Sequence, residues 1–217
     1  FIQTETPMFD LNKDAAEELR ITGPFVATWM LIFAFPLLLV FPDPEGHEKQ
    51  TITAVRKGLQ SLWQTIKKLR GYRDIVWFLV ARMFYSDGLN TLFAFGGIYA
   101  ATLFNMGFSE IILFGIAINI FAGVGSVIFS FFDDKYGPRI IIKTCLISLI
   151  SICTFILFTN NKIFFWILGM GIGFFIGGLQ STSRSCMSRL SKINDQSKMF
   201  GIYGLSGKIT AFLGPYF

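Results

Sequence analysis

Within the apolar run of residues 75–103, Asp87, Asn90 and Thr91 are spaced by three and four, so on a helix all three project from one side. At ~1.5 Å of rise per residue, Asp87 lies about 18 Å along from Ile75, near the middle of a hydrocarbon slab roughly 30 Å thick. A carboxylate at that depth is costly, so it must face a cavity, water or a partner charge. Three roles are open to it: solute contact, proton carriage, or a structural ion pair. Lys208, about 14 Å into the last apolar run, matches it in depth and would serve as the partner in such a pair. Asn119, near the centre of the run 111–132, extends the same candidate pathway. Arg82 is about 10 Å from the start of its helix, close enough to snorkel to water.

These residues sit in a chain built for lipid. Of 217 residues 53% are hydrophobic and 26 are Phe, and the mean hydropathy is +0.56. That is more apolar surface than a soluble domain of this size can bury. Cys145, Cys153 and Cys186 fall in or beside apolar runs with no metal-ligand spacing, and are read as small core residues. His47 stands alone in a polar loop, so neither a metal site, a catalytic set nor a cofactor is expected. The chain opens on Phe1 and stops at Phe217 within an apolar run, and is expected to be part of a longer protein.

In order, residues 1–21 are polar and acidic and read as a loop, followed by a first apolar span at 22–41 that Pro36 is expected to kink. Residues 42–74 form a linker. Inside it, residues 52–70 place Ile52, Val55, Leu59, Leu62, Trp63, Ile66 and Leu69 on one helical face, with Arg and Lys on the others. This predicts an amphipathic helix lying on an anionic membrane surface, the alternative being a helix packed on a soluble partner. One basic helix between spans is no nucleic-acid site. The rest, 75–217, reads as a bundle with helices at 75–103, 109–132, 138–158, 163–184 and 199–217. Gly169, Gly173 and Gly177 leave one face of the fourth bare, so a neighbour can approach closely.

The basic residues give the orientation. Seven lie in 41–73, three in 133–143 and four in 184–198, whereas the opposite side holds Lys13, Arg20 and Lys162. The richer loops are cytosolic by the positive-inside rule, giving six spans.

The cytosolic turn from Ser130 through Asp133, Asp134, Lys135, Gly137, Pro138 and Arg139 joins two helices tightly. Gly137 permits the turn, Pro138 suits the next helix start, and Asp134, Lys135 and Arg139 can form an inter-helix charge network. The turn resembles the signature loop of the major facilitator superfamily, small-x-x-x-Asp-basic-x-Gly-x-basic, with Ser130 where glycine is usual. Three further stretches narrow the resemblance: Arg82-x-x-Tyr85-x-Asp87 continuing to Tyr99, Gln180-Ser-Thr-Ser-Arg184 continuing to Leu190, and Gly201-x-Tyr203-x-Leu205-x-Gly207-Lys208. Together they are similar to bacterial permeases related to the autophagy-associated vacuolar amino-acid effluxer of fungi.

The resemblance implies an all-α membrane protein with helices 6 to 11 of a twelve-helix fold and a cytosolic linker helix. The missing N-terminal half would then be a partner, along with membrane lipid, a small solute such as an amino acid, and protons as a candidate coupling ion. It implies secondary transport by alternating access in the bacterial cytoplasmic membrane, with no enzymatic activity. Gln180, Ser181 and Arg184 are expected to end a helix at the cytosolic mouth, as gating or capping residues, with Arg189 and Lys192 as positive-inside anchors. A non-transporting scaffold or sensor on the same fold is the competing reading.

Overall fold

The computed structural model describes residues 21–40, 73–191, 196–209 and 216. The predicted amphipathic segment 52–70, His47, Lys192 and the far end of the run 199–217 lie outside the described residues. The described secondary structure is all helical: α1 (Thr22–Val40), α2 (Arg73–Phe104), α3 (Phe108–Tyr136), α4 (Pro138–Leu157), α5 (Lys162–Leu190) and α6 (Gln196–Ile209). The chain divides into two compact units, with α1 in the first and α2 to α6 in the second.

Helix α1 runs through Pro36 to Val40, close to the expected span. Its described side chains are almost all exposed, and Phe25, Trp29 and Phe33 stack down one side at i, i+4 spacing.

In the second unit, α3, α4 and α5 are long and apolar enough to cross a bilayer. Helix α2 is longer still, but Arg82, Asp87 and Asn90 dilute its apolar character. The six spans expected from sequence are thus matched in length and composition by three described helices. Many large apolar side chains on the outer faces are exposed, among them Ile116, Ile120, Phe131, Ile147, Ile150, Phe155 and Ile167. Exposed area of this kind is stable in lipid and unstable in water.

Helices α3 and α5 are parallel neighbours and share the most extensive contact in the unit. Their register runs from Glu110 beside Lys162 at one end to Asp133 beside Arg189 at the other. The glycines expected to leave a bare face do so against α3. A Cβ at Gly173 or Gly177 would overlap the backbone carbonyl of Ile118 or Ala122, and one at Gly125 would overlap that of Phe174. Gly169 and Gly178 instead receive the rings of Phe114 and Phe129. Without side chains between them, the backbones gain dispersion contact that lipid cannot supply.

Helix α4 packs mainly on α5 through Ile141, Cys145, Leu149, Ile172, Ile176 and Leu179. Cys145 and Cys186 are buried and Cys153 is half-buried, all three free, which fits packing. Helix α2 packs most closely on α6, through Ile75, Leu79, Met199, Ile202 and Tyr203, with Met187 of α5 in the same cluster. At the other end Ala100, Met106, Phe114 and Phe165 make a third cluster, and Asn105 turns the chain with φ 48°.

Candidate functional site

On α2, Arg82 does not run to the end of its helix. Its guanidinium turns sideways to α6, where Nη1 donates to the Tyr203 carbonyl and, at 2.9 Å, to Ser206 Oγ. The guanidinium carbon lies 3.6 Å from the centre of the Tyr203 ring, a cation–π contact. One turn on, Tyr85 Oη and Ser183 Oγ of α5 are 2.7 Å apart, and either can be the donor.

Asp87 comes next and is half-buried, whereas Asn90 is exposed and Thr91 half-buried. The Thr91 hydroxyl donates to the Asp87 backbone carbonyl at 2.9 Å, so the hydroxyl satisfies its own helix. Asn119 behaves likewise: it is exposed, and Nδ2 donates to Gly115 O at 2.9 Å, within α3. Lys208 is exposed on α6. Where both partners are described residues, the ion pairs join Arg139 to Asp74, Lys162 to Glu110, and Arg189 to Asp133 and Asp134. A pair between Asp87 and Lys208 is not among them. The cation that ties α2 to α6 is Arg82, because its longer fork reaches the α6 backbone and the Tyr203 ring together.

The hairpin loop differs from expectation in its wiring. Helix α3 extends through Asp133 and Asp134 to Tyr136, where the Gly137 N–H donates to Asp133 O and Gly137 itself takes φ 84°. Pro138 then opens α4. Asp134, Lys135 and Arg139 do not pair with one another. Arg189 of α5 reaches Asp133 Oδ2 at 3.3 Å and Asp134 Oδ1 at 2.8 Å. Arg139 reaches across to Asp74 on α2 at 3.2 Å, and the Lys135 ammonium lies 5.4 Å from the Tyr136 ring centre. The reason is helical geometry: continuing α3 by one turn puts Asp133 on the face toward α5, where it is only 3% exposed. Its Oδ1 is buried without a partner. Ser130, on the outer side, is exposed.

Gln180, Ser181 and Arg184 do not end a helix, since α5 continues to Leu190 and closes at Ser191, whose N–H donates to Met187 O. Buried Cys186 and Met187 hold that extra stretch against its neighbours. Gln180 and Arg184 are exposed and Ser181 is half-buried. At the opposite end Lys162 holds both carboxylate oxygens of Glu110, at 2.6 and 2.7 Å.

Sequence reasoning gave no role to Asp74, Glu110, Tyr85, Ser183, Tyr203, Ser206 or Gly207. One pair carried a usable signal: Glu110 and Lys162 are lone opposite charges, each at the head of an apolar run on the same side. The hydroxyl pair and the arginine socket carried none, because partners 98 to 124 residues apart leave no local spacing.

The arrangement is a fixed cation spent on a neighbouring helix, a half-buried carboxylate beyond it, and a breakable hydroxyl pair between α2 and α5. Among the described residues there is no group of three potential metal ligands.

Over 213 residues the chain is 26% identical to the Bacillus subtilis protein named uncharacterized MFS-type transporter YxiO, covering 98% of this chain and 48% of that protein. It is 28% identical to autophagy-related protein 22 of Kluyveromyces lactis, over 92% of this chain and 44% of that one. The Schizosaccharomyces pombe protein of the same name is 24% identical over 92% and 40%. The chain thus spans less than half the length of these relatives, and no solved structure matches it. Its apolar helices and these relatives make it a multi-pass integral membrane protein. The family described as vacuole effluxer Atg22 like matches residues 4–217, and the chain belongs to that family.

Proposed function

We propose that this chain is part of a secondary transporter that moves a small solute, an amino acid or a similar metabolite, by alternating access. The observation that carries the reading is Asp87, a half-buried carboxylate well inside α2, beside the exposed Asn90. Such a group is costly in hydrocarbon and worthwhile where it binds a solute ammonium or a proton. The relatives' names support transport, and the family's description supports efflux. In this reading the described helices are the sixth to eleventh of a twelve-helix fold, with the Asp133–Arg139 end cytosolic and the remaining half supplied by the rest of the full-length protein. The membrane is the bacterial cytoplasmic one, and no chemical conversion of the solute is involved.

The test is uptake of a radiolabelled amino-acid mixture into vesicles holding the full-length protein, wild type against Asp87→Asn, across pH. The variant should lose transport by about ten-fold or more, or lose its pH dependence. Unchanged transport at every pH would remove Asp87 from the mechanism. Wild-type vesicles that move no solute would favour a scaffold or sensor.

A further inference from the structure

The helices of the second unit are joined in two different ways. Between α3 and α5 the contact is backbone on backbone at Gly125, Gly173 and Gly177, with an ion pair at each end of the register. At those three positions there are no side-chain rotamers to exchange, so the contact either holds or opens as a unit.

Helix α2 meets α5 differently, through side chains: Met187 is buried in the cluster of Ile75 and Leu79, and Tyr85 and Ser183 make one hydroxyl pair. Each of those hydroxyls can rotate to water or to a solute, so the bond is cheap to exchange.

Between α2 and α6 stands a third kind of joint. The Arg82 guanidinium is held by the Tyr203 carbonyl, Ser206 Oγ and the Tyr203 ring, and the Phe78 ring stacks with that of Tyr203 at 6.4 Å between centroids. Gly207 completes the socket, because a Cβ there would stand 2.7 Å from Nη1 and 3.0 Å from Nη2. The other two glycines of α6, Gly201 and Gly204, have nothing within 4 Å. Pulling this joint apart breaks two hydrogen bonds and a cation–π contact together, against a single hydroxyl bond between α2 and α5.

We propose that Arg82 makes α2 and α6 a single moving piece, which swings against the α3–α5 spine by breaking and remaking the Tyr85–Ser183 bond and so carries Asp87 between its two exposures. The inference rests on the alternating-access reading. Arg82 is a positioning residue in it, acting through α6 rather than on the solute. Movement then consists of hinge and shear at side-chain contacts, the type that packed helices tolerate, and the glycine-lined interface stays closed throughout.

The experiment uses the full-length protein with its native cysteines changed to alanine, in vesicles supplied with the radiolabelled amino-acid mixture. Two double variants, Phe78→Cys/Tyr203→Cys and Tyr85→Cys/Ser183→Cys, are joined by a short bifunctional thiol reagent. Each is compared with itself before joining. Joining α2 to α6 should leave transport within about two-fold, whereas joining α2 to α5 should lower it by about ten-fold, reversed by reductant. Arrest by the α2–α6 link, or survival with the α2–α5 link, would overturn the proposal. Arg82→Gln should lower transport and the α2–α6 link should restore it in that variant; an Arg82 that does not couple the two helices would give no rescue.

Should either double variant be inactive before joining, spin-label distances decide the matter on exposed sites. Trp77→Cys/Leu205→Cys spans α2 and α6, and Trp77→Cys/Ile147→Cys spans α2 and α4. Adding the amino-acid mixture should shift only the second distance. A shift in the first, or in neither, overturns the swing. Failure of the transport reading is separate and visible: the unmodified protein would then move no label.

Discussion

Replacing Gly177 by alanine adds one methyl group at the centre of the α3–α5 contact. The new Cβ would overlap the Ala122 carbonyl oxygen and stand 2.6 Å from its carbon and 2.8 Å from its Cα, where ordinary contact begins at 3.4 Å. The obstacle is backbone, which cannot rotate away, so the two helices must part by roughly 1 Å along their shared face. A gap of that size forfeits about a quarter to a half of the dispersion attraction across it, and overpacking of this kind costs ~1–3 kcal/mol. Gly123→Ala is the internal control: it lies in α3 with nothing within 4 Å, and it receives the same helix-propensity change. We expect Gly177→Ala to be less stable than Gly123→Ala by about 2 kcal/mol, roughly thirty-fold in the folded-to-unfolded ratio. Reversible unfolding of the purified full-length protein in mixed micelles, followed by tryptophan fluorescence, measures the difference. Gly173→Ala combined with Gly177→Ala should cost less than the two single costs summed, since one separation relieves both. Equal stability of Gly177→Ala and Gly123→Ala would refute the close-contact account of this helix pair.

Three further outcomes follow from the ends of the helices. Arg189→Ala leaves the buried Asp133 carboxylate without its cation and should destabilise by ~1–3 kcal/mol in the same unfolding assay, while Asp134→Asn, at an exposed side chain, should cost under about 1 kcal/mol. Arg139→Ala breaks a pair whose side chains are 71% and 73% exposed, so stability should change by less than about 1 kcal/mol and the change should vanish in high salt. Gly137→Ala forces a side chain into φ 84° at the α3–α4 turn and should cost ~1–2 kcal/mol, read as a lowered melting midpoint, although no atom lies near enough to clash.

The sequence by itself determined that this protein is helical and lipid-bound, because 26 phenylalanines and runs such as 111–132 leave bilayer as the only adequate solvent. It also marked the glycine-spaced face of α5, the Gly137 turn and the place of Asp87 well inside a helix, since each follows from helical period or from the backbone freedom of one residue type. Tertiary structure alone decided which charges meet. Arg139 was expected beside Asp134 within its own hairpin, yet it faces Asp74, sixty-five residues earlier, and Arg189 takes the hairpin's acids instead. Lys208 and Asp87 were expected at one depth but form no ion pair, and the joint between α2 and α6 fell to Arg82. Depth along a helix can be counted from sequence, but rotation about its axis is set by the packing of its neighbours. That rotation is what aims each buried polar group.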